Sequence, residues 1–160
     1  MEKEIKKIIH AFRNALVMAA DTHSYACFFM PRWSGELNGF PHGCCDLASN
    51  FLAKYLIEHG YRARIIRFSC SAEINKFIKS HVVVKCDAHY IDLTRNQFDD
   101  YYGRVLIEDK YGSMATLLRS VKADQFLTLK EQDFCIDNAT NRGEQLYYYV
   151  KQLADELVMK

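Results

Sequence analysis

Apolar residues recur at intervals of three and four in three segments of the chain, the spacing that places them on one face of an α-helix. The first segment covers residues 2–20 and carries lysines on its polar side. The second runs from Asp46 to His59 and is followed by Gly60, the residue type expected just past a helix end. The third runs from Gly143 to Val158. We therefore predict three amphipathic helices.

Between the second and third of these helices, the chain contains short runs rich in β-branched and aromatic residues, which are typical of strands. These runs are residues 63–68, 81–86, 90–93 and 104–108. Asp87 to His89 is turn-like, so the second and third runs are predicted to form a hairpin. Residues 114–121 fit either a helix or a strand, and residues 126–129 are predicted as a short strand.

The length of 160 residues suits one domain, and we predict a single domain over residues 1–160. Periodicity is absent from residues 21–43, where Pro and Gly accumulate, so an irregular loop is predicted there. The resulting order is helix, loop, helix, a mostly antiparallel sheet and a final helix. This order predicts the α+β class, with the second helix packed on the sheet.

The charge balance argues against nucleic acid as a partner. The 21 Lys and Arg residues nearly cancel the 20 Asp and Glu residues, so the chain lacks the broad positive field that phosphate-backbone binding uses. No apolar run is long enough to span a membrane, and the charged start MEKEIKK does not resemble a signal peptide. We therefore expect a cytoplasmic protein without a membrane or nucleic-acid partner.

Six cysteines are sparse for a disulfide framework in a chain of this length, and the adjacent Cys44 and Cys45 are difficult to bridge. Free thiols are therefore predicted.

Zinc is a further possibility to weigh, because His42 lies close to this pair in the sequence and Cys86 forms a Cys-x-x-His with His89. Adjacent cysteines rarely fit tetrahedral geometry, and no second well-spaced pair completes a ligand set, so we predict no metal.

Cys45 differs from the other cysteines because it falls at the start of the second predicted helix. The N–H groups and the positive dipole end of a helix N-terminus stabilise a thiolate, and the same N–H groups can hold an oxyanion. A thiol nucleophile needs a base, and His81 opens a predicted strand from which its ring can reach a helix N-terminus. Asp92, a polar residue within an apolar run on the next strand, is the candidate that orients this base.

Two segments carry a resemblance to a known family. Residues 43–64 read GCCDLASNFLAKYLIEHGYRAR, and residues 81–94 read HVVVKCDAHYIDLT. They resemble the transglutaminase-like branch of the papain-like cysteine peptidase superfamily, in which a Gly-x-Cys turn opens a helix that runs to Gly-x-x-Ala-Arg, and a His-x-x-Val strand precedes a strand ending in Asp-x-Thr. The corresponding residues here are Gly43, Cys45, Gly60, Ala63, Arg64, His81 and Asp92. Residues 95–98, RNQF, further resemble a group of bacterial transglutaminase-like proteins with a Gln-Phe pair after the Asp motif.

The resemblance implies a papain-like core and a Cys-His-Asp triad that forms a thioester with a peptide or Gln amide. Such an enzyme is a cysteine protease, an amidase or deamidase, or a transglutaminase, depending on whether water or an amine is the second substrate. It acts on a protein or peptide and needs no cofactor. Papain-like enzymes also use a side-chain donor upstream of the nucleophile, for which Asn38 and Ser34 are candidates, and Trp33 is a candidate for the substrate groove.

Two positions depart from the family pattern. Val83 stands where an aromatic residue is common, and Cys44 adds a second cysteine beside the predicted nucleophile. The Gly-x-Cys spacing and the distance to Gly60 favour Cys45 and leave Cys44 as the alternative. Both departures also fit a second class of function, a catalytically inactive module of the same fold that binds a protein or peptide.

Overall fold

Four helices and one five-stranded antiparallel sheet make up the regular structure of the residues that the computed structural model describes, which are 1–22, 40, 44–70, 79–97, 103–136 and 142–160. The helices are α1 (Lys3–Thr22), α2 (Cys45–Glu58), α3 (Ser113–Ala123) and α4 (Arg142–Met159), and a 3-10 turn covers Arg95–Gln97. The strands are β1 (Ala63–Ser69), β2 (Ser80–Cys86), β3 (His89–Asp92), β4 (Leu106–Glu108) and β5 (Leu129–Gln132), in the spatial order β4-β3-β2-β1-β5. The predicted α+β class is confirmed. No helix within these ranges combines the length and the apolar composition that crossing a membrane takes.

The sheet separates two apolar clusters, so the described residues form three layers. On one face, α1, α2 and α4 enclose the α2-side cluster, whose largest fully buried side chains include Tyr55, Tyr147, Phe12 and Phe51. On the other face, α3 covers the smaller α3-side cluster, which includes Ile66, Phe68, Val83 and Leu118. Because α2 packs directly on β1 and β2, the helix that begins at Cys45 lies on the sheet as predicted.

Strand pairing determines which side chains share a face of the sheet. β1 and β2 are antiparallel, with Phe68 opposite His81 and Ile66 opposite Val83. Paired residues on neighbouring strands project to the same side of the sheet, and consecutive residues along a strand project to opposite sides. His81 therefore lies on the α3 side of β2, like its partner Phe68 and like Val83 two residues further on. β2 and β3 form the predicted hairpin, and its turn places Asp87 in the left-handed region at φ 51°.

The three predicted helices are confirmed as α1, α2 and α4, close to their predicted bounds. Residues 114–121, which fitted either a helix or a strand, lie in α3, where Met114, Ala115, Leu118 and Val121 are buried at helical spacing. Most of the loop predicted for residues 21–43 lies outside the described residues, although α1 extends into it through Thr22.

The strand predicted at residues 126–129 is displaced toward the C-terminus, because β5 begins only at Leu129. The carboxylate of Asp124 accepts the backbone N–H of Phe126 at 2.8 Å, which turns the chain directly after α3. The ring of Phe126 is consequently 84% exposed. Local side-chain capping therefore replaces strand pairing at the start of the predicted run.

Gly60 ends α2 in the way its position predicts, and the backbone explains why. It follows the C-cap residue His59 with φ +89°, and its N–H donates to the carbonyl oxygen of Ile57 at 3.0 Å.

We expect Gly60→Ala to lower the free energy of unfolding by about 1 kcal/mol, because a Cβ is disfavoured at positive φ. No atom lies within 4 Å of a Cβ built there, so the cost arises in the backbone alone. Urea denaturation measures the free energy of unfolding of each variant. The control is Gly60→Asn, because asparagine tolerates positive φ better than alanine. If the alanine variant is as stable as the wild type, the positive φ of Gly60 does not explain the glycine at this position.

Candidate active site

Cys45 is the first residue of α2, and Cys44 is its N-cap. Cys44 is fully buried in the α2-side cluster, whereas Cys45 is half-buried. The sulfur of Cys45 therefore lies at the mouth of the helix, where the first N–H groups and the positive dipole end are found. The predicted position of Cys45 is confirmed, and its greater exposure favours it over Cys44 as a reactive thiol.

The first turn of α2 is held in place through the carboxylate of Asp46. Its Oδ1 atom accepts hydrogen bonds from the guanidinium of Arg67 on β1 and from the side-chain amide of Asn50, both at 2.8 Å. The Oδ1 atom of Asn50 in turn accepts the backbone N–H of Cys135 at 2.7 Å. The turn that carries the candidate nucleophile is thus tied both to the sheet and to the segment after β5.

A separate contact aligns α2 with the start of β2. The hydroxyl of Ser49 donates to the carbonyl oxygen of Val82 at 2.9 Å, and both residues are buried. Ser49 lies about one helical turn after Cys45, and Val82 directly follows His81. This hydrogen bond therefore brings the N-terminus of the helix close to the histidine.

His81 and Asp92 form a buried pair on neighbouring strands. Nε2 of His81 lies 2.7 Å from Oδ2 of Asp92, and each residue is 1% exposed. Oδ1 of Asp92 accepts the backbone N–H of Thr94 at 2.9 Å, and the ring of Phe68 packs edge-on against the imidazole with centroids 5.8 Å apart. A buried carboxylate is costly unless it is hydrogen-bonded, so these contacts explain how Asp92 is accommodated within an apolar run.

The surroundings of His81 determine its charge. Burial by itself lowers the pKa of His81, because it disfavours the charged ring. The negative charge of Asp92, the hydrogen bond to Asp92 and a side-chain hydrogen bond to Cys45 outweigh burial and raise the pKa of His81 to about 9. Since Asp92 engages Nε2, Nδ1 is the nitrogen that faces Cys45. At neutral pH the ring is therefore an imidazolium beside a sulfur.

Gln97 is a further side chain at the site, and the sequence did not single it out as a site residue. Its Nε2 lies 3.4 Å from Nδ1 of His81 and donates to Oγ1 of Thr94 at 3.1 Å. The Thr94 hydroxyl donates to Oδ1 of Asp92 at 3.3 Å. One network therefore runs from Asp92 through Thr94 to Gln97 beside the ring, and the Gln97 amide can donate to Nδ1 when the ring is neutral. The signal that points to Gln97 is the RNQF segment directly after the Asp motif.

Cys70 and Cys86, two of the three buried cysteines among the described residues, differ from Cys45 in their surroundings. Burial, followed by the nearby Cys45, raises the pKa of Cys70 to about 11, and burial raises the pKa of Cys86 to about 11. Both side chains are therefore neutral thiols at physiological pH. Val83, the departure from the family pattern on β2, is fully buried in the α3-side cluster and fills a core position.

The structure brings together Cys45, His81 and Asp92, the three side chains predicted to form a triad. The predicted oxyanion donors and groove residue lie outside the described residues; they are Asn38, Ser34 and Trp33. In the described part of the chain, no group of three or more His, Cys, Asp and Glu side chains is placed to hold a metal ion.

Sequence comparison finds similar proteins in Escherichia coli. The chain is 31% identical over 100 residues to a protein from strain K12 named Uncharacterized protein YuaU, and a protein of the same name from strain UTI89 / UPEC gives the same values. Each match covers 62% of this chain and 45% of the relative, so the chain spans less than half the length of these relatives. No protein-family model and no solved structure matches the chain.

Asp92→Asn tests the cause of the raised pKa of His81. The amide keeps the shape of the carboxylate but removes its charge, so burial then acts on His81 without opposition from Asp92. We expect the pKa of His81 to fall from about 9 to its ordinary value of 6.5 or below. An NMR titration of the histidine ring protons measures this, with His81 assigned by comparison with a His81→Gln variant.

The control for this titration is Asp46→Asn, which removes a different carboxylate close to Cys45 and leaves the His81–Asp92 pair in place. His81 should still titrate near pH 9 in that variant. If His81 also titrates near 9 in Asp92→Asn, the carboxylate is not what holds the proton on the ring.

Gln97→Ala tests whether this amide orients the imidazole. The substitution removes the contact at Nδ1, so we expect the alkylation of Cys45 by iodoacetamide at about pH 6 to slow by about threefold to tenfold. Mass spectrometry of the digested protein gives the rate at Cys45. The matched control is Gln125→Ala, which truncates an exposed glutamine after α3. Equal rates in the two variants would show that Gln97 does not position the ring.

Proposed function

We propose that the chain is a thiol-dependent acyl-transfer enzyme with a transglutaminase-like, papain-like core. Cys45 is the nucleophile, His81 is the general base and acid, and Asp92 orients His81. The substrate is a protein or peptide that presents a peptide bond or a Gln side-chain amide. The reaction passes through a thioester on Cys45 and uses water or a primary amine as the second substrate.

The observation that carries this proposal is the arrangement around His81. Its Nε2 is held at 2.7 Å by a carboxylate as buried as itself, while the other side of the ring meets the sulfur at the N-terminus of α2. A nucleophile, a base and an orienting group in series define the triad logic of covalent catalysis. A histidine serving only the packing of the sheet has no need of a thiol at Nδ1.

The first half of the reaction follows from the charge of the imidazolium. The thiolate of Cys45 attacks the carbonyl carbon, a C–S bond forms, and the carbonyl oxygen becomes an oxyanion that N–H groups at the start of α2 stabilise. The oxyanion collapses and breaks the C–N bond. The proton on Nδ1 of His81 goes to the leaving nitrogen, which departs as an amine or as ammonia.

The second half of the reaction restores the enzyme. Nδ1 of His81, now neutral, accepts a proton from water or from a primary amine as that nucleophile attacks the thioester carbon. The second oxyanion collapses, the C–S bond breaks, and Cys45 leaves as a thiolate paired with the imidazolium. Water yields a carboxylic acid, whereas an amine yields a new amide.

The layer arrangement supports a papain-like core. The nucleophile lies at the N-terminus of a helix that packs on an antiparallel sheet, and the histidine and aspartate lie on two neighbouring strands of that sheet. This is the order and placement that the resemblance of residues 43–64 and 81–94 implies.

The test of the proposal is the selective reactivity of Cys45. At about pH 6 we expect iodoacetamide to modify Cys45 at least about tenfold faster than the exposed Cys135, because only a thiolate reacts and a paired imidazolium stabilises one. His81→Gln should slow Cys45 by about tenfold or more and leave Cys135 unchanged. Glutamine suits this test because its amide can still donate to Asp92, which avoids an unpaired buried carboxylate.

The control for His81→Gln is His10→Ala, which removes an exposed histidine on α1. Prior incubation with a peptide aldehyde, whose carbonyl carbon takes the place of the acyl carbon, should protect Cys45 and not Cys135. If Cys45 reacts no faster than Cys135 and the aldehyde does not protect it, the enzymatic proposal is wrong and a catalytically inactive binding module is the better description.

A further inference from the structure

A groove of about 440 Å³ lies between α3 and the sheet. Its floor is apolar and comes from three elements: Ile66 of β1, Leu118 of α3 and Leu129 of β5. Ile66 and Leu118 are buried members of the α3-side cluster, and Leu129 packs against them. The floor therefore offers an apolar surface to a ligand side chain that enters the groove.

The rim of this groove is basic. Four basic residues line it: Lys85, Lys110, Arg119 and Lys122. Glu131 is the acidic residue among the described lining residues, and its carboxylate lies 3.2 Å from Lys85 and 3.7 Å from Arg64. The whole chain has a formal net charge of only +1, so the rim concentrates positive charge locally. Such a rim attracts anionic groups.

The basic residues on the α3 side of the groove come from α3 and from the short segment just before it. The guanidinium of Arg119 donates to the backbone carbonyl of Lys110 at 3.3 Å, and the ammonium of Lys110 lies 5.1 Å from the centroid of the Tyr111 ring. Arg119 and Lys122 are three residues apart on α3, so their side chains are neighbours on the helix surface. Arg119 and Lys122 both line the groove, so an anion placed there can pair with either of them.

The dimensions of the groove suit a short peptide. The wall formed by α3 from Ala115 to Lys122 is about 10 Å long at 1.5 Å per residue. An extended peptide advances about 3.4 Å per residue, so about three to four residues fill this length. Lys85, on the opposite wall, lies four residues from His81 along β2, which is about 13 Å. The Lys85 end of the groove therefore lies away from the candidate catalytic histidine.

We propose that this groove binds a short acidic segment of a partner protein. An apolar side chain of the segment rests on Ile66, Leu118 and Leu129, while its carboxylates pair with the basic rim. A free inorganic anion engages the rim without using the floor, and an uncharged apolar peptide leaves the rim unpaired. A bilayer presents a flat array of headgroups, which fits a concave groove between a helix and a sheet less well than a peptide does.

The experiment measures binding of a fluorescein-labelled peptide, Glu-Glu-Leu-Glu-Leu-Glu, to the full chain by fluorescence anisotropy. We expect the Lys110→Glu, Lys122→Glu double variant to raise the Kd by about tenfold or more, because two attractive contacts become repulsive. Both lysines are exposed, so the substitutions leave the core intact. The matched control is Lys3→Glu, Lys7→Glu, which makes the same change in net charge on α1 and should alter the Kd by less than about twofold.

Two further arms separate the groove from a general charge effect. A peptide with both leucines replaced by serine keeps its charge but loses the side chains for the floor, so its Kd should rise by about tenfold. A Cys45→Ala variant should bind like the wild type. Equal loss in the two double variants, equal affinity for the two peptides, or no peptide binding below about 1 mM overturns the proposal. So does binding to phosphatidylserine vesicles through Lys110 and Lys122 without binding of the peptide.

Discussion

The hydrogen bond between Nε2 of His81 and Oδ2 of Asp92 joins two side chains that are almost completely removed from water. Each partner is costly to bury alone, so the fold tolerates either of them only in the presence of the other. The same bond decides which face of the imidazole is left for a third group. Because Asp92 occupies Nε2, Nδ1 is the nitrogen directed to the N-terminus of α2, where it can interact with the sulfur of Cys45.

The candidate site forms where the two apolar clusters meet. Cys45 packs against the α2-side cluster, whereas His81 contacts Phe68 of the α3-side cluster. Neither layer contains the site alone. The bond from Ser49 to Val82 joins α2 to the sheet at this point, because it connects the first turns of α2 to the residue after His81. The groove beside α3 opens on the same face of the sheet as His81, so the α3 layer contributes both packing and a basic surface.

Helices and strands with a clear spacing of apolar residues were predictable from the sequence. Segments that suit two kinds of secondary structure, or in which a side chain bonds to the backbone, were not. α2 has apolar residues at helical spacing and a glycine beyond its end, and its start at Cys45 agrees with the prediction. The sequence of residues 114–121 fits both a helical and a strand spacing of apolar residues. Packing against the sheet favours the helix, because the helix buries its apolar face there. The sequence places the beginning of β5 too early because the carboxylate of Asp124 accepts the N–H of Phe126, which then does not pair with a strand. The spacing of apolar residues gives no sign of such a local hydrogen bond.

For the candidate site, the sequence by itself determined the residue types, their order and the elements that carry them: a cysteine opening a helix, a histidine opening a strand and an aspartate on the next strand. Only the tertiary structure decided that these side chains meet, since their convergence depends on strand register and on the docking of α2 against β2. The same holds for Gln97 and for the basic groove, whose members are far apart in the chain. Short-range patterns arise from helix and strand periods, whereas contacts between distant residues arise from packing and become visible only when the layers are assembled.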